Sequence, residues 1–141
     1  MDEIMNTPVV SVIMPAYNAS NYVQEAINSV IGQTYSNWEL IIVDDGSTDA
    51  TSSIIAQYRN HDNRIKSFYQ DNGKQGKARN LGIEYARGIY VAFLDADDFW
   101  LPEKLEIQLE EIQLKNVDLV RYDSIRKAEY GANNHSKEEQ K

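Results

Sequence analysis

The sequence predicts an α/β fold, in which helices cover both faces of a doubly wound, mostly parallel sheet. The prediction depends first on three short apolar runs rich in β-branched residues: Val9–Met14, Trp38–Val43 and Ile89–Leu94. Nearly continuous apolar runs of this length are typical of strands buried on both faces, as in parallel sheets. Segments with helical spacing separate the runs, and a regular alternation of strands and helices favours right-handed crossover connections.

The remaining elements continue the same alternation. Weaker strand patterns lie at Arg64–Gln70 and Val117–Tyr122. Apolar residues spaced three and four apart predict four helices, over residues 22–31, 49–59, 76–87 and roughly 101–114. The third helix is expected to end at Arg87-Gly88, a cation followed by a C-cap glycine. The order is therefore β-α-β-α-β-α-β-α-β, within one domain over residues 1–126 that is followed by a solvated tail at 127–141.

The bulk composition excludes several classes of protein. The 141 residues carry a net charge of −8 and include no cysteine. We therefore expect neither a basic nucleic-acid-binding surface nor disulfides or thiolate metal sites. The sequence has no apolar run of about 18 residues and no apolar leader, so it predicts neither a membrane span nor a secretory signal. The expected location is the cytoplasm or, for a longer protein, the inner face of the membrane.

Aspartates follow two of the predicted strands, at the point where each strand ends. Asp44 and Asp45 follow the second strand, and Asp95, Asp97 and Asp98 follow the fourth. Ligands of open α/β sheets bind outside the carboxyl ends of the strands, so one ligand could meet all five carboxylates. Carboxylates crowded at one rim repel each other unless a cation lies among them. A divalent ion such as Mg²⁺ or Mn²⁺, which favours oxygen ligands, meets this need.

These aspartates also have a purely structural interpretation, in which each ends a strand or caps a helix. For Asp49 that interpretation is preferred, because Ser47-Thr48-Asp49 has the composition of a helix N-cap. For Asp45 alone the two interpretations have equal support. Crowding at one strand end favours a functional role for Asp95 with Asp97 and Asp98. Of these, Asp95 and Asp97 can direct one carboxylate to a ligand hydroxyl and the other to a metal.

Five motifs resemble those of the family 2 glycosyltransferases with the GT-A fold. They stand in unbroken order over about residues 8–123: VSVIMPAYN at 10–18, SVIGQTY at 29–35, ELIIVDDGSTD at 39–49, GKARNLG at 76–82 and ARGIYVAFLDADDFWLP at 86–102. The resemblance implies an inverting hexosyltransferase, active in cell-surface polysaccharide biosynthesis, that uses Mg²⁺ or Mn²⁺ as its cofactor. Its implied partners are a UDP-type nucleotide sugar as donor and a saccharide or other hydroxyl compound as acceptor.

The same resemblance implies roles for individual residues. Those that match nucleotide-sugar contacts are Pro15, Tyr17, Asp45, Arg79, Asp95 and Ala96, and the one that matches the metal ligand is Asp97. Within this set Pro15 and Tyr17 would pack against the nucleoside, Asp45 would hydrogen-bond the base and Asp95 would lie near the ribose. The alternatives are a core aromatic side chain for Tyr17 and a solvated helix charge for Arg79.

The sequence departs from the family at the catalytic base. In family members this base, usually an aspartate, lies in the acceptor-binding half beyond the Asp-x-Asp strand. No carboxylate further along this sequence matches that motif, since Asp118 and Asp123 lie on or beside a predicted strand. We therefore expect the tail to begin an acceptor-binding half that supplies the base, and residues 1–141 alone to transfer sugar poorly. Apolar surface left uncovered at the fifth strand would favour a homo-oligomer.

Two other functions remain as alternatives. A non-catalytic nucleotide-sugar-binding module is compatible with the missing base. An aspartate-dependent phosphotransferase is suggested by Phe93–Asp97, but that class places its nucleophile after the first strand, whereas this motif follows the fourth. Dinucleotide and P-loop sites are excluded, because neither Gly-x-Gly-x-x-Gly after a strand nor a Walker A sequence occurs.

Overall fold

Strands and helices alternate along the chain in the predicted order. The computed structural model describes residues 7–115 and 125–127. The elements are β1 (Val10–Ala16), α1 (Val23–Ile31), β2 (Trp38–Asp44), α2 (Thr51–His61), β3 (Ile65–Tyr69), α3 (Lys74–Glu84), β4 (Tyr90–Phe93), α4 (Lys104–Lys115) and β5 (Ile125–Lys127). Within these ranges no helix has the length and apolar character needed to cross a membrane.

The five strands form one sheet in the order β3-β2-β1-β4-β5. The central strand β1 pairs in parallel with β2 on one side and β4 on the other, and β3 continues the parallel ladder beyond β2. Strand β5 pairs antiparallel with β4, with Ile125 opposite Ala92. The predicted α/β class with a mostly parallel sheet is confirmed. Because the chain leaves β1 toward β2 and returns on its other side at β4, the ligand crevice is expected where β1 ends.

The apolar runs are buried on both faces of the sheet, as predicted. One face packs against α1, α2 and α4, and its buried strand residues include Val12, Met14 and Ile42. The other face packs against α3 and includes Ile13 and Ile41. This division of the helices between the two faces is the doubly wound arrangement that the alternation of elements predicts.

The close packing of α3 on the sheet depends on Gly82. A Cβ atom at this position would lie 2.5 Å from Cγ2 of Ile13 on β1, so any larger residue would push the helix away from the sheet. Gly82 therefore sets the distance between this helix and the central strand.

Two of the predicted helix limits differ from those in the structure. Helix α1 begins at Val23, and Tyr22 precedes it as an exposed residue. Helix α3 ends at Glu84 and not at Arg87, so the expected C-cap role of Gly88 is wrong. A Cβ atom at Gly88 would lie 2.8 Å from the Ser11 nitrogen, and this glycine is needed for contact with β1. The predicted strand Val117–Tyr122 lies outside the described residues.

A buried carboxylate lies near the start of the two central strands. Glu39 on β2 is 1% exposed and stands opposite Ser11 on β1. Its Oε2 accepts hydrogen bonds from Ser11 Oγ at 2.6 Å and from the Arg87 N–H at 2.7 Å. Its Oε1 accepts one from Lys66 Nζ at 3.0 Å. The carboxylate thereby joins β1, β2, β3 and the segment that leads into β4.

The hydrogen bonds to Glu39 also govern its ionisation. Burial alone would raise the pKa of this carboxyl group. The bonds from Ser11, from the Arg87 backbone and from Lys66 together outweigh burial, and the pKa lies below its ordinary value. The Glu39 side chain is therefore an ionised carboxylate in the folded protein at neutral pH.

Candidate functional site

A pocket of about 560 Å³ opens at the carboxyl ends of the parallel strands. Its walls come from the segments that follow β1, β2, β3 and β4. The lining residues are Pro15, Ala16, Tyr17, Asn18, Ala19, Tyr22, Asp45, Asn72, Asp95, Ala96 and Asp97. The pocket therefore lies at the edge of the sheet where the sequence and the reversal of strand order place a ligand.

Asp45 is held in a fixed orientation on the β2 side of the pocket. The residue is 5% exposed, and its N–H donates to the Ala16 carbonyl at 2.8 Å. Its Oδ1 accepts hydrogen bonds from Gln70 Nε2 at 2.8 Å and from the Gly73 N–H at 2.6 Å. The segment after β3 therefore fixes the position of the Asp45 carboxylate in the pocket wall.

The turn after Asp45 requires a glycine. Gly46 has a φ of +80°, and a Cβ atom there would lie 2.8 Å from the Asn72 nitrogen. Residues that have a side chain rarely adopt this left-handed backbone conformation. In addition, the backbone of Asn72 leaves no space for a side chain at position 46. The turn thereby brings Asn72 to the pocket wall beside Asp45.

The segment after β1 is fastened to the segment after β2. Asn18 has a φ of 47°, a conformation that asparagine tolerates better than most residues. Its N–H donates to Ser47 Oγ at 2.9 Å, and its Oδ1 accepts from the Thr48 N–H at 2.8 Å. These bonds support the part of the wall that carries Tyr17 and Tyr22, which are 50% and 53% exposed. The interpretation of Tyr17 as a core aromatic is therefore wrong.

Asp49 extends the same connection to the start of α2. Its Oδ1 accepts from the Thr51 N–H at 2.9 Å and from Thr51 Oγ1 at 2.6 Å, and its Oδ2 accepts from the Ser20 N–H at 3.2 Å. The Ala19 N–H in turn donates to Thr51 Oγ1 at 2.8 Å. Asp49 therefore has a structural role, since it accepts from the first N–H of the helix and also holds Ser20, but the N-cap position itself is Ala50.

These contacts lower the pKa of Asp49 to about 2, and the hydrogen bonds from Thr51 are the largest cause. A carboxyl group whose pKa is lower in the folded than in the unfolded protein stabilises the fold above its unfolded pKa of about 4. That contribution is lost as the pH falls from about 4 toward the folded value. The ionised Asp49 carboxylate therefore makes its full contribution to stability at neutral pH.

Three carboxylates lie together after β4. Asp95, Asp97 and Asp98 have oxygen atoms within 4.8 Å of one another. The turn that carries them is held by the Leu94 N–H, which donates to the Ile13 carbonyl, and by the Asp98 N–H, which donates to the Asp95 carbonyl. Asp95 and Asp97 line the pocket. An all-oxygen donor set of this charge suits Mg²⁺ or Mn²⁺, which would relieve the repulsion among the carboxylates.

Arg79 on α3 contacts Asp95 and is not among the residues that line the pocket. Its Nη2 lies 3.4 Å from Asp95 Oδ1, and its guanidinium carbon lies 5.7 Å from the centre of the Phe93 ring. The side chain is 24% exposed, and its Nε is buried with no hydrogen-bond partner in the described part of the chain. The interpretation of Arg79 as a solvated helix charge is therefore wrong, since it compensates the charge of Asp95.

Asp44 is buried away from the other four aspartates that follow the strands. It is 4% exposed and does not line the pocket. Its Oδ1 accepts from the Ser47 N–H at 3.0 Å, and its Oδ2 accepts from Ser52 Oγ. The expectation that one ligand could meet all five carboxylates is therefore wrong. Asp44 stabilises the turn before α2, and Asp98 does not line the pocket either.

The pocket brings together most of the residues singled out in the sequence. Those that line it are Pro15, Tyr17, Asp45, Asp95, Ala96 and Asp97. The lining residues that sequence reasoning missed are Ala16, Asn18, Ala19, Tyr22 and Asn72. Asn72 carried a usable signal, because Asn72-Gly73 follows a predicted strand in the same way as the aspartates do. Tyr22 carried none, since its spacing fits an apolar helix stripe.

The sequence matches known proteins over most of its length. The family model described as Glycosyl transferase family 2 matches residues 11–139. The chain is 51% identical over 104 residues to the putative teichuronic acid biosynthesis glycosyltransferase TuaG of Bacillus subtilis, a match that covers 73% of this chain and 41% of TuaG. It is 40% identical over 117 residues to the UDP-Glc:alpha-D-GlcNAc-diphosphoundecaprenol beta-1,3-glucosyltransferase WfgD of Escherichia coli, which covers 82% of this chain and 46% of WfgD.

The fold is also similar to that of solved glycosyltransferases. The crystal structure of S. aureus TarS 1–349 in complex with UDP-GlcNAc superposes with a TM-score of 0.75 at 34% sequence identity. The match covers 82% of this chain and 34% of that TarS chain. This chain therefore spans less than half the length of each of these three proteins.

Proposed function

Because this chain belongs to glycosyl transferase family 2 and has the GT-A fold, we propose that it binds the donor of an inverting glycosyltransferase that uses a UDP-type nucleotide sugar. One observation carries the proposal: a single pocket joins Asp45 and Tyr17 to the carboxylates Asp95 and Asp97. A nucleoside diphosphate sugar has a matching order of parts, from a planar base through ribose hydroxyls to a charged diphosphate. The UDP-GlcNAc bound to TarS and the UDP-Glc in the name of WfgD support uridine as the nucleoside.

The β1 and β2 sides of the pocket would bind the nucleoside. Tyr17 is half exposed at the pocket wall, so its ring offers a surface on which a base can pack. Pro15 lies near it at the end of β1 and adds apolar surface. Asp45 would accept the ring N–H of the base, because its carboxylate is buried and held by donors from the segment after β3.

The β4 side of the pocket would bind the ribose and the diphosphate. Asp95, held by Arg79, would accept a hydrogen bond from a ribose hydroxyl, with Ala96 beside the nucleotide sugar. Asp97, which is exposed at the pocket, would be the principal ligand of Mg²⁺ or Mn²⁺. When bound there, a divalent ion would offset the negative charge of the diphosphate leaving group.

The transfer itself needs a base that we do not assign to the described residues. In an inverting transfer the acceptor oxygen forms a bond to the anomeric carbon while the bond from that carbon to the diphosphate oxygen breaks, and a base takes the acceptor proton. We propose that Asp45, Asp95 and Asp97 all serve the donor. The base would then come from an acceptor-binding part, and both TuaG and WfgD are longer than the stretch that this chain matches.

A calorimetric titration of the purified chain with UDP tests the donor assignment. We expect saturable UDP binding that Mn²⁺ strengthens, and uridine binding that Mn²⁺ leaves unchanged because uridine lacks the diphosphate. Transfer to acceptor hydroxyls should be about 10²- to 10⁴-fold slower than in an enzyme with its base, in line with the usual contribution of general-base assistance. UDP binding that is absent with and without Mn²⁺ would refute the proposal, and rapid transfer would refute the assignment of the base to another segment.

Replacing Asp45 with alanine should weaken the preference of the pocket for UDP over GDP and CDP. The buried carboxylate can reject bases that do not present a matching N–H, and alanine cannot. We expect the ratios of dissociation constants to fall by about tenfold or more. Asp71→Ala is the matched control, since Asp71 is an exposed carboxylate of the segment after β3 that does not line the pocket. Base preference that survives Asp45→Ala in a folded protein would contradict the assignment.

A further inference from the structure

Gln70, directly after β3, is fixed at both its backbone and its side chain. Its N–H donates to the Asp44 carbonyl at 2.9 Å, and its Nε2 donates to Asp45 Oδ1 at 2.8 Å. The Gly73 N–H donates to the same oxygen at 2.6 Å. A carboxylate oxygen offers about two lone-pair sites. These two donors therefore fill Oδ1, and a ligand that binds Asp45 must use Oδ2.

The geometry points to Gln70 as a positioning residue that makes Asp45 a single-oxygen acceptor. We propose that it thereby selects a base that donates one ring N–H, such as uracil, against guanine. The inference rests on the proposed function, because it takes the pocket to bind a nucleoside diphosphate. It adds a determinant of base selection that lies outside the pocket wall.

The two bases differ in how many donors they present side by side. Uracil has one ring N–H with a carbonyl oxygen on each side, so a single carboxylate oxygen satisfies it. Guanine presents a ring N–H and an adjacent amino N–H whose bonds run parallel, so the two align with the two separate oxygens of a carboxylate and not with one oxygen. In this pocket the second donor of guanine would meet Oδ1, which is already filled. A buried donor left without an acceptor weakens binding, which is how a site discriminates against the wrong ligand.

The segment after β3 cannot easily release Oδ1 to a ligand. A Cβ atom at Gly46 would lie 2.8 Å from the Asn72 nitrogen, and one at Gly73 would lie 3.2 Å from Gln70 Nε2. The turn at Gly46 and the segment 70–73 are therefore packed against each other. Rotation of the Asp45 carboxylate toward a guanine would break both of its bonds at once.

Cytosine provides an internal reference, because it presents an acceptor nitrogen where uracil presents its N–H. That nitrogen is repelled by the Asp45 carboxylate whether or not Gln70 is present. Removal of the Gln70 amide should therefore relax discrimination against guanine but not against cytosine. A general loosening of the pocket would relax both.

The test is Gln70→Met, which keeps the length of the side chain and removes its donor. Binding of UDP, GDP and CDP to the purified chain is measured in the presence of Mn²⁺. We expect the ratio of the GDP and UDP dissociation constants to fall by about tenfold, with the CDP to UDP ratio changed by less than about twofold. Gln57→Met is the matched control, since Gln57 is exposed on α2 and does not line the pocket. Thermal unfolding confirms that each variant is folded.

A folded Gln70→Met protein with an unchanged GDP to UDP ratio overturns the inference, and so does a parallel fall of both ratios. Gln70→Asn, whose shorter amide does not reach Asp45, should reproduce the change if the methionine variant does not fold. Absence of UDP binding by the unaltered chain would instead overturn the proposed function. The two failures are therefore distinguishable.

Discussion

Asp97→Asn is expected to remove most of the gain in UDP affinity that Mn²⁺ provides, while UDP binding without metal stays nearly unchanged. Asparagine keeps the size of the side chain but loses the charge that a hard divalent cation favours. Asp97 is the most exposed of the three clustered carboxylates and lines the pocket. We expect the Mn²⁺-dependent affinity to fall about 100-fold, which corresponds to about 2.7 kcal/mol. Calorimetric titration with UDP, with Mn²⁺ and with a chelator, measures both quantities.

Asp98→Asn is the matched control for this substitution. Asp98 belongs to the same cluster but does not line the pocket, so its loss should weaken the Mn²⁺-dependent step far less. An equal loss of UDP affinity for Asp97→Asn with and without Mn²⁺ would contradict the assignment. That result would indicate that Asp97 contacts the nucleotide directly.

Glu39→Gln should lower the free energy of unfolding by about 3 kcal/mol, because it breaks a buried hydrogen-bonded charge. Glu39 accepts bonds from Ser11, the Arg87 N–H and Lys66, whereas a glutamine would turn an amide N–H₂ toward at least one of these donors. The pKa of Glu39 lies below its ordinary value. The stabilising contribution of the Glu39 carboxylate is therefore complete above its pKa in the unfolded protein. It is lost as the pH falls through its lower pKa in the folded protein. The difference between the two proteins should shrink below about pH 4.

Urea denaturation at neutral and acidic pH measures this difference. Lys66→Met provides the control, because the Lys66 side chain is 38% exposed and the buried Glu39 keeps its bonds from Ser11 and the Arg87 N–H in that variant. We expect that variant to lose no more than about 1 kcal/mol. Affinity for UDP should survive both changes, since Glu39 lies near the start of β2 and the pocket lies at its other end. A Glu39→Gln protein as stable as Lys66→Met would refute the importance of the buried network.

The strands were the most predictable part of the fold, because burial on both faces leaves a continuous apolar run that needs no tertiary information. The end of α3 was not predictable in this way. Gly88 has the sequence signature of a C-cap, but its lack of a side chain is required by Ser11, which is 77 residues away. Contact of α3 with the sheet at Gly82 likewise depends on Ile13. Such requirements arise only when distant segments are brought together.

The candidate site shows the same division between local and distant information. The rule that ligands bind beyond the carboxyl ends of the strands predicted a site at Asp45, Asp95 and Asp97, and all three line the pocket. The error at Asp44 was avoidable, because Asp44 is the last residue of β2 and successive side chains of a strand point to opposite sides, so Asp44 and Asp45 are not expected to face one ligand. The contact of Arg79 with Asp95 was not predictable from spacing, since it depends on how α3 packs against the sheet.

The hydrogen bonds that join the segment after β1 to the start of α2 have a consequence for the entropy of binding. Asn18, Ser20 and Asp49 order this wall before any nucleotide arrives. Fixing the backbone of a flexible residue costs about 1–2 kcal/mol, and a mobile wall would impose that cost on every binding event. In this protein the wall loses its conformational entropy when the domain folds, and the packing of the whole domain offsets that loss. A nucleotide that enters this pocket loses its own freedom of motion but does not have to restrict that of the wall.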